Sequence, residues 1–391
     1  MKTIAVIGAN KPLEPFYQQI FGKYRIIGIA WEEGAICKKY CNVFYPISFS
    51  EKERVLEVCK KENIDGITSF SLESALPTVI YVAQNMNLVS NSFECQKLTE
   101  TKYSQRNCFR ENGIPTPYFY LIKEKKELQN IDISFPVIIK PIDNGGSRGI
   151  NFANSLKELE YLYDDSIQYS KSGKVIVEEY IDGREFSVEY ISYKGIHYNV
   201  QITDKVTSGM PHFVELEHHQ PADISLYDAQ RIKCMVEKAL TALKIENSAS
   251  HTEIKLNSRG ELFIIEIGAR MGGGMITSDL VRLSTGYDFV RGVADLSIGE
   301  FQPPQFTSTY YSGIYFYTKL TKKVKDIIIN NENNINIVEK HIDNNPLEDT
   351  ISNFQRNGYF IYQSNHKYLI NESYFLQKLI LVVSCFLHVF L

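Results

Sequence analysis

"HTEIKLNSRGELFIIEIGARMGGG", residues 251–274, sets two acidic segments on either side of a short polar turn. Apolar and polar residues alternate on both sides of Arg259-Gly260, the pattern of an antiparallel hairpin with one buried face. A turn centred on 259–260 places Glu253 opposite Glu266. Like charges in direct cross-strand register repel, and these two lie among Ile254, Leu256, Ile264, Ile265 and Ile267. A cation between them removes the penalty. Paired carboxylate oxygens suit Mg²⁺ when phosphates complete its shell. The alternative is a glutamate facing solvent, paired with Lys255 or Arg270.

Upstream, "FPVIIKPIDNGGSRGI" (135–150) runs a β-rich strand into Lys140 and then into a loop of small residues. A Walker loop carries its lysine after the last glycine. Here Lys140 precedes Gly145, Gly146 and Gly149, so the lysine belongs to the strand and the glycines to a separate flap. Glycines let backbone N–H groups approach phosphate closely, Ser147 offers a hydroxyl, and Arg148 reaches phosphate or stays in solvent. "LTETKYSQRNCFRENGIPTPYF" (98–119) is a helix capped by Thr99 or Thr101 and stopped at Gly113, with Lys102 in its first turn. "KVIVEEYIDGREFSVEYISYKG" (174–195) has the pattern strand, turn, strand.

The first hundred residues alternate strand and helix as an open α/β domain does. Strands are expected at 3–9, 25–31 and 64–70, and helices at 13–22, 50–63 and 73–87. Gly8-Ala9-Asn10 is followed by Lys11-Pro12, so the dinucleotide fingerprint is missing. Further helices are expected at 156–169 and 223–245. After residue 300 the pattern weakens, and the Asn-rich stretch 328–349 has the look of a loop or surface excursion.

The chain of 391 residues carries 42 Lys+Arg against 46 Asp+Glu, a formal charge of −4, which excludes the basic surface of a nucleic-acid binder. Seven dispersed cysteines, without paired CxxC motifs, fit reduced thiols in a cytoplasm. "MKTIAVIGAN" has no long apolar region before a cleavage site, so a secretory signal is not expected. The tail 371–391 ends in the apolar stretch 375–391, but from Leu379 onward this gives only 13 residues, interrupted by Ser384 and His388, where a spanning helix needs about 20, so packing on the body is preferred over membrane contact.

The ordered series Lys102, Lys140 with its glycine loop, the acidic stretch 178–185 and the pair Glu253/Glu266 resembles the ATP-grasp superfamily. "ITDKVTSGMPHFVELEHHQPA" (202–222) and "EIGARMGGGMITSDLVRLSTGYD" (266–288) are similar to stretches of its carboxylate–amine ligases, the L-amino-acid-ligase-like branch. The resemblance implies a mixed α/β and α+β fold. An N-terminal Rossmann-like domain (1–97) would precede a lid subdomain (98–177) and a larger antiparallel lobe holding nucleotide and metal (178–300). A C-terminal subdomain (301–370) and the tail (371–391) would follow.

It also implies roles. Lys102 and Lys140 meet the phosphates of ATP under the Gly145, Gly146, Ser147 and Gly149 lid. Glu178 faces the adenine amino group, Glu179 to Ile181 form the hinge, and Glu185 takes the ribose. Glu253 and Glu266 hold Mg²⁺, with Mn²⁺ able to substitute. Many superfamily members carry Asn at position 268 as a further ligand, and this chain has Gly268. Arg270, two pleats beyond Glu266, is expected to reach the substrate carboxylate or the oxyanion, with a salt bridge to Glu253 as its structural alternative. A helix start at Thr277 or Ser278 follows three glycines, and His218 and His219 are either pocket-lining or structural.

The expected activity joins a small-molecule carboxylate to an amine through an acylphosphate, releasing ADP and phosphate. An ATP-dependent carboxylase or a silent ATP-binding module are the alternatives. Neither a nucleic-acid nor a membrane partner is expected, and a homodimer is an admissible assembly.

Overall fold

The computed structural model describes residues 1–146, 148–330 and 335–370. Ser147 and the tail 371–391, both singled out above, lie outside the described residues, which form three sheets.

The first sheet contains β1 (Thr3–Ile7), β2 (Arg25–Ala30), β3 (Val43–Pro46) and β4 (Gly66–Thr68), all parallel, in the order β3-β2-β1-β4. "TIAVI" is buried throughout because helices cover both faces of a parallel sheet. Those helices include α1 (Glu14–Ile20), α2 (Lys52–Lys61) and α3 (Leu76–Asn85). The chain then enters α4 (Phe93–Thr99) and α5 (Lys102–Glu111). Of the two candidate caps it is Thr101 that starts α5, its hydroxyl accepting from Ser104 N at 3.0 Å, while Thr99 ends α4.

The second sheet is antiparallel: β5 (Phe119–Ile122), β6 (Val137–Pro141), β7 (Asn151–Ala153) and β8 (Val175–Glu179), ordered β5-β8-β6-β7. Helix α6 (Leu156–Ile167) packs Leu159 and Tyr163 onto Val137, Ile139 and Val177.

The third sheet runs β13-β12-β9-β10-β11-β14-β16-β15. Its strands are β9 (Arg184–Tyr193), β10 (Ile196–Thr207), β11 (Glu215–Gln220), β12 (Ser248–Leu256), β13 (Leu262–Gly268), β14 (Tyr311–Tyr317), β15 (Ile337–Ile342) and β16 (Gly358–Ser364). Helix α7 (Leu226–Ala242) buries Ile232, Val236, Ala239 and Leu240 against it. Helices α8 (Val281–Thr285), α9 (Phe289–Ser297) and α10 (Lys323–Asn330) complete the described residues.

The two strands expected in 174–195 form as β8 and β9; they belong to different sheets, and Tyr180–Gly183 crosses between them. Gly183 sits at φ +99°, where an added Cβ would lie 2.2 Å from the Leu256 carbonyl oxygen, so only glycine fits. Two other expectations change. The Asn-rich stretch holds the end of α10 and the whole of β15, apart from 331–334, which lie outside the described residues. An edge strand with Glu339, Lys340 and His341 exposed has too little apolar surface to mark itself in sequence. After the three glycines the chain starts turning at Ile276, not at Thr277 or Ser278, with Met275 left-handed at φ +63° and one wide π-type turn leading into α8.

Candidate active site

The hairpin β12–β13 brings Glu253 directly opposite Glu266. The route differs from simple alternation. Ile254 pairs with Ile264, and a bulge after that pair leaves Ile265 extra before Glu266 meets Glu253. Ile264 is thereby buried in the core, while Ile265 and Glu266 both remain half-buried at the site.

Neither carboxylate takes the partner the alternative proposed. Lys102 Nζ lies 2.9 Å from Glu266 Oε1, and Lys205 Nζ lies 2.8 Å from Glu253 Oε1. Lys255 instead donates to the Ile181 carbonyl and stands over Tyr180 and Phe213. Burial alone would raise the Glu253 pKa, but Lys205 and His251 outweigh it and hold the carboxyl well below the usual range.

Lys102 opens α5, and its position is fixed from two sides. Its backbone N–H donates to the Ile142 carbonyl at 2.9 Å, and its ammonium donates to the Asn144 carbonyl at 2.9 Å. One turn on, the Gln105 amide exchanges 2.9 Å hydrogen bonds with Ile267 N and O, closing the free edge of β13 beside Glu266.

Lys140 and Arg106 share one carboxylate. Glu178 lies 2.8 Å from Lys140 Nζ and 2.9 Å from Arg106 Nη2, and all three are buried. Burial, with Arg106 and Lys102 nearby, pushes the Lys140 pKa down in spite of Glu178. Two cations on one anion leave a positive excess of the kind that a phosphate relieves. Glu178 is thus engaged by cations in this structure and presents no free carboxylate.

Two cavities adjoin the carboxylate pair. The smaller, about 120 Å³, is lined by Lys140, the 178–181 crossing, Glu185, Lys205, Glu253 and Ile265. The larger, about 1100 Å³, is lined by Lys102, Gly145, Glu266 and Arg270 together with residues 67–80 of the parallel-sheet region. The cavities therefore divide the anticipated residues, with Glu253 on one side and Glu266 on the other. In the hinge, Glu179 Oε1 accepts from Tyr118 N at 2.9 Å. In the flap, Arg148 folds back on Asn144 Oδ1 at 2.7 Å, and Gly146 and Gly149 take φ of +70° and +71°.

Arg270 departs from expectation in two ways. β13 ends at Gly268, so the pleat does not extend to it. Its Nε pairs with Glu73 Oε2 at 2.7 Å, not with Glu253. His218 and His219 are buried in β11 and do not line the large cavity. His219 bonds Tyr362 and Glu217, each at 2.9 Å. His218 has no hydrogen-bond partner on either nitrogen, and burial pushes its pKa down to about 3.

Other charged groups escaped the sequence reading. Buried Lys205 meets Glu185, Glu215 and Glu253 at 2.9, 3.1 and 2.8 Å. Arg356 reaches Glu215 at 2.8 Å while stacking on Phe316. His251 Nδ1 lies 2.6 Å from buried Glu189, which raises its pKa to about 9 against the effect of burial, and its other nitrogen lies 3.8 Å from Glu253. A lysine within the apolar alternation of β10 was the one available signal for Lys205.

The donor set fits a hard divalent cation: two carboxylates in register, both half-exposed and both already countered by ammonium groups. No cluster of three His, Cys, Asp or Glu arranged for a metal occurs among the described residues, so phosphate and water oxygens would complete the shell.

The lid sheet, the large antiparallel lobe and the slot at their crossing define an ATP-grasp fold. Residues 133–279 match the model of the ATP-grasp domain. An L-amino acid ligase from Bacillus licheniformis superposes with a TM-score of 0.77 at 22% identity, covering 94% of both chains. The chain is 28% identical to the uncharacterized protein y4rH of Sinorhizobium fredii over 62% of its own length and 50% of the relative's. It is 24% identical to a D-alanine–D-alanine ligase of Francisella tularensis over 47% of its length and 61% of that protein's. The chain thus spans half to three fifths of the lengths of these two curated relatives. Residues 133–279 thus match an ATP-grasp domain, and the chain as a whole is similar in fold to the L-amino acid ligase.

Proposed function

We propose that this protein is an ATP-dependent carboxylate–amine ligase, activating a small carboxylic acid as its acylphosphate and releasing ADP and phosphate. One observation carries the reading: Glu253 and Glu266 face each other where two cavities adjoin, each held by its own lysine. The smaller cavity takes one end of the nucleotide, with Glu179 to Ile181 at the base, Glu185 at the ribose, and Lys140 and Lys205 towards the phosphates, which run past the carboxylate pair to Lys102 on the wall of the larger cavity. Gly145, Gly146 and Gly149 cover them. The larger cavity takes the acid and the amine.

Glu253 and Glu266 would hold Mg²⁺, which when bound offsets charge on the phosphates. The substrate carboxylate attacks the γ-phosphorus, the bond to the β-phosphate oxygen breaks, and ADP leaves. Lysines and Arg270 stabilise the charge that spreads over the transferring group. The amine then attacks the acyl carbon, phosphate leaves, and an amide remains. Arg270 steadies the oxyanion of that second step. The names of the relatives, an L-amino acid ligase and a D-alanine–D-alanine ligase, agree with this chemistry.

ADP release measured across pairs of acids and amines should require both partners. Glu266→Gln should lower it at least 100-fold with the melting temperature little changed. ADP release that ignores the acid, or that persists in Glu266→Gln, contradicts the reading.

A further inference from the structure

The strands added at the far end of the large sheet bring one charged side chain back towards the carboxylate pair. Arg356 stands in the turn that leads into β16, 141 residues from Glu215 at the start of β11. The next residue fixes its place. Asn357 N donates to the Tyr317 carbonyl at 2.8 Å, and its side-chain amide donates to the Asn345 and Pro346 carbonyls at 3.2 and 3.3 Å. The Arg356 guanidinium lies 3.8 Å from the centroid of the Phe316 ring, which covers one face and leaves the edge for polar partners.

Those partners converge on Glu215. Arg356 Nη2 donates to Glu215 Oε2 and to Asn353 Oδ1, each at 2.8 Å, and its Nε donates to the Glu215 carbonyl at 3.2 Å. Glu215 N donates to Asn353 Oδ1 at 3.0 Å, so the backbone and the carboxylate of Glu215 are both held. Its other oxygen, Oε1, lies 3.1 Å from Lys205 Nζ. The Lys205 side chain is 2% exposed and faces three carboxylates, those of Glu185, Glu215 and Glu253. These four residues line the smaller cavity, whereas Arg356 lines neither cavity. One ammonium among three carboxylates leaves an excess of negative charge, and Arg356 is the second cation that reduces it.

Resting on the placement of MgATP in the ligase reading above, we infer that Arg356 is a positioning residue of the nucleotide site: by holding Glu215 it leaves the Lys205 ammonium able to turn from Glu253 to the phosphates. With Arg356 in place, Oε2 of Glu215 is met by a charge-assisted hydrogen bond, and only Oε1 competes for Lys205. Without Arg356, the whole charge of Glu215 falls on Lys205 in a buried setting, where Coulomb attraction is strong and an unmatched charge is costly. The ammonium is then drawn towards Glu215 and away from Glu185 and Glu253, and the phosphates meet one more unmatched negative charge. The C-terminal strands thus complete the nucleotide site, although none of their residues lines either cavity.

The test is a double-mutant cycle on the full-length protein, with MgATP affinity read by calorimetry and folding by melting temperature. Arg356→Gln should bind MgATP at least tenfold more weakly than the wild type. In a Glu215→Gln background there is no carboxylate to hold, and the same substitution should cost less than twofold. A role confined to packing of the C-terminal strands would lower the affinity equally in both backgrounds. A loss below tenfold in a folded Arg356→Gln, or one above twofold in the Glu215→Gln background, overturns the inference and leaves the ligase reading standing. Should Arg356→Gln fail to fold, the Glu215→Gln background decides alone: a cost below twofold there supports the inference and a larger one overturns it. A wild type that binds no MgATP overturns both.

Discussion

His218 illustrates how a single residue can be costly to bury and yet retained. Both ring nitrogens lack partners, Glu215 Oε2 is 3.5 Å away, and Lys205 and Arg356 act on the same pocket. Its pKa of about 3 lies below the value near 6.5 expected in the unfolded chain. Between those values the unfolded state binds the additional proton, so stability rises with pH across that window and is lost on acidification from 6.5 towards 3. His218→Leu should flatten the dependence of melting temperature on pH over this range, because an apolar side chain of similar size has no proton to gain. A slope as steep as the wild type's would show that other groups, such as Glu215 or Asp204, dominate. The site carboxylates were visible in sequence for a local reason: Glu253 and Glu266 belong to one hairpin. Their counter-charges were not. Lys205 is 48 residues from Glu253, Arg356 is 141 from Glu215, and Glu73 is 197 from Arg270. Nothing near any of these residues in the chain names its partner.

At the scale of elements, the site depends on two irregularities. The β12–β13 bulge places Ile265 in the smaller cavity and Glu266 at the carboxylate pair as consecutive residues. Regular alternation would bury one and expose the other. A bulge is invisible to a period-two pattern, which is why the pairing of the glutamates was anticipated but the core role of Ile264 was not. The crossing from β8 to β9 is the second irregularity. Gly183→Ala sets a Cβ against the Leu256 carbonyl at a strained φ, and a cost of about 1–3 kcal/mol is expected. Chemical denaturation should register that loss together with weaker MgATP binding, since Glu179 and Ile181 belong to the same segment. Unchanged stability would mean that the hinge backbone relaxes freely. Lys102 was legible from the Thr101 cap and its helix, whereas β15, an edge strand with a charged outward face, was not.

At the scale of the molecule, the arrangement follows from three sheets that cannot bury their faces in the same way. The parallel sheet needs helices on both sides, and its strand β4 opens at its carboxyl end onto the large cavity. The lid sheet supplies Lys140 and Glu178, and the antiparallel lobe supplies Glu253 and Glu266. Strand–helix alternation in residues 1–97 and the ordered lysine, glycine-loop and glutamate series carried this architecture in the sequence. The addition of β14, β16 and β15 to the large sheet did not show there, nor did the pairing of its far strands. No helix among the described residues is long and apolar enough to cross a membrane. On the proposed function, carboxylates and lysines of the smaller cavity exchange partners when phosphate arrives, and Arg270 accepts an anion in the larger one.

Acylphosphate formation is tested most directly by following oxygen. Standard amino acids labelled with ¹⁸O in the carboxylate would be incubated with MgATP, the protein and an amine, and the released phosphate examined by mass spectrometry. The account predicts one ¹⁸O transferred from the carboxylate into each phosphate released. Phosphate that carries no label from the acid, while ADP still forms in an acid-dependent manner, would contradict it.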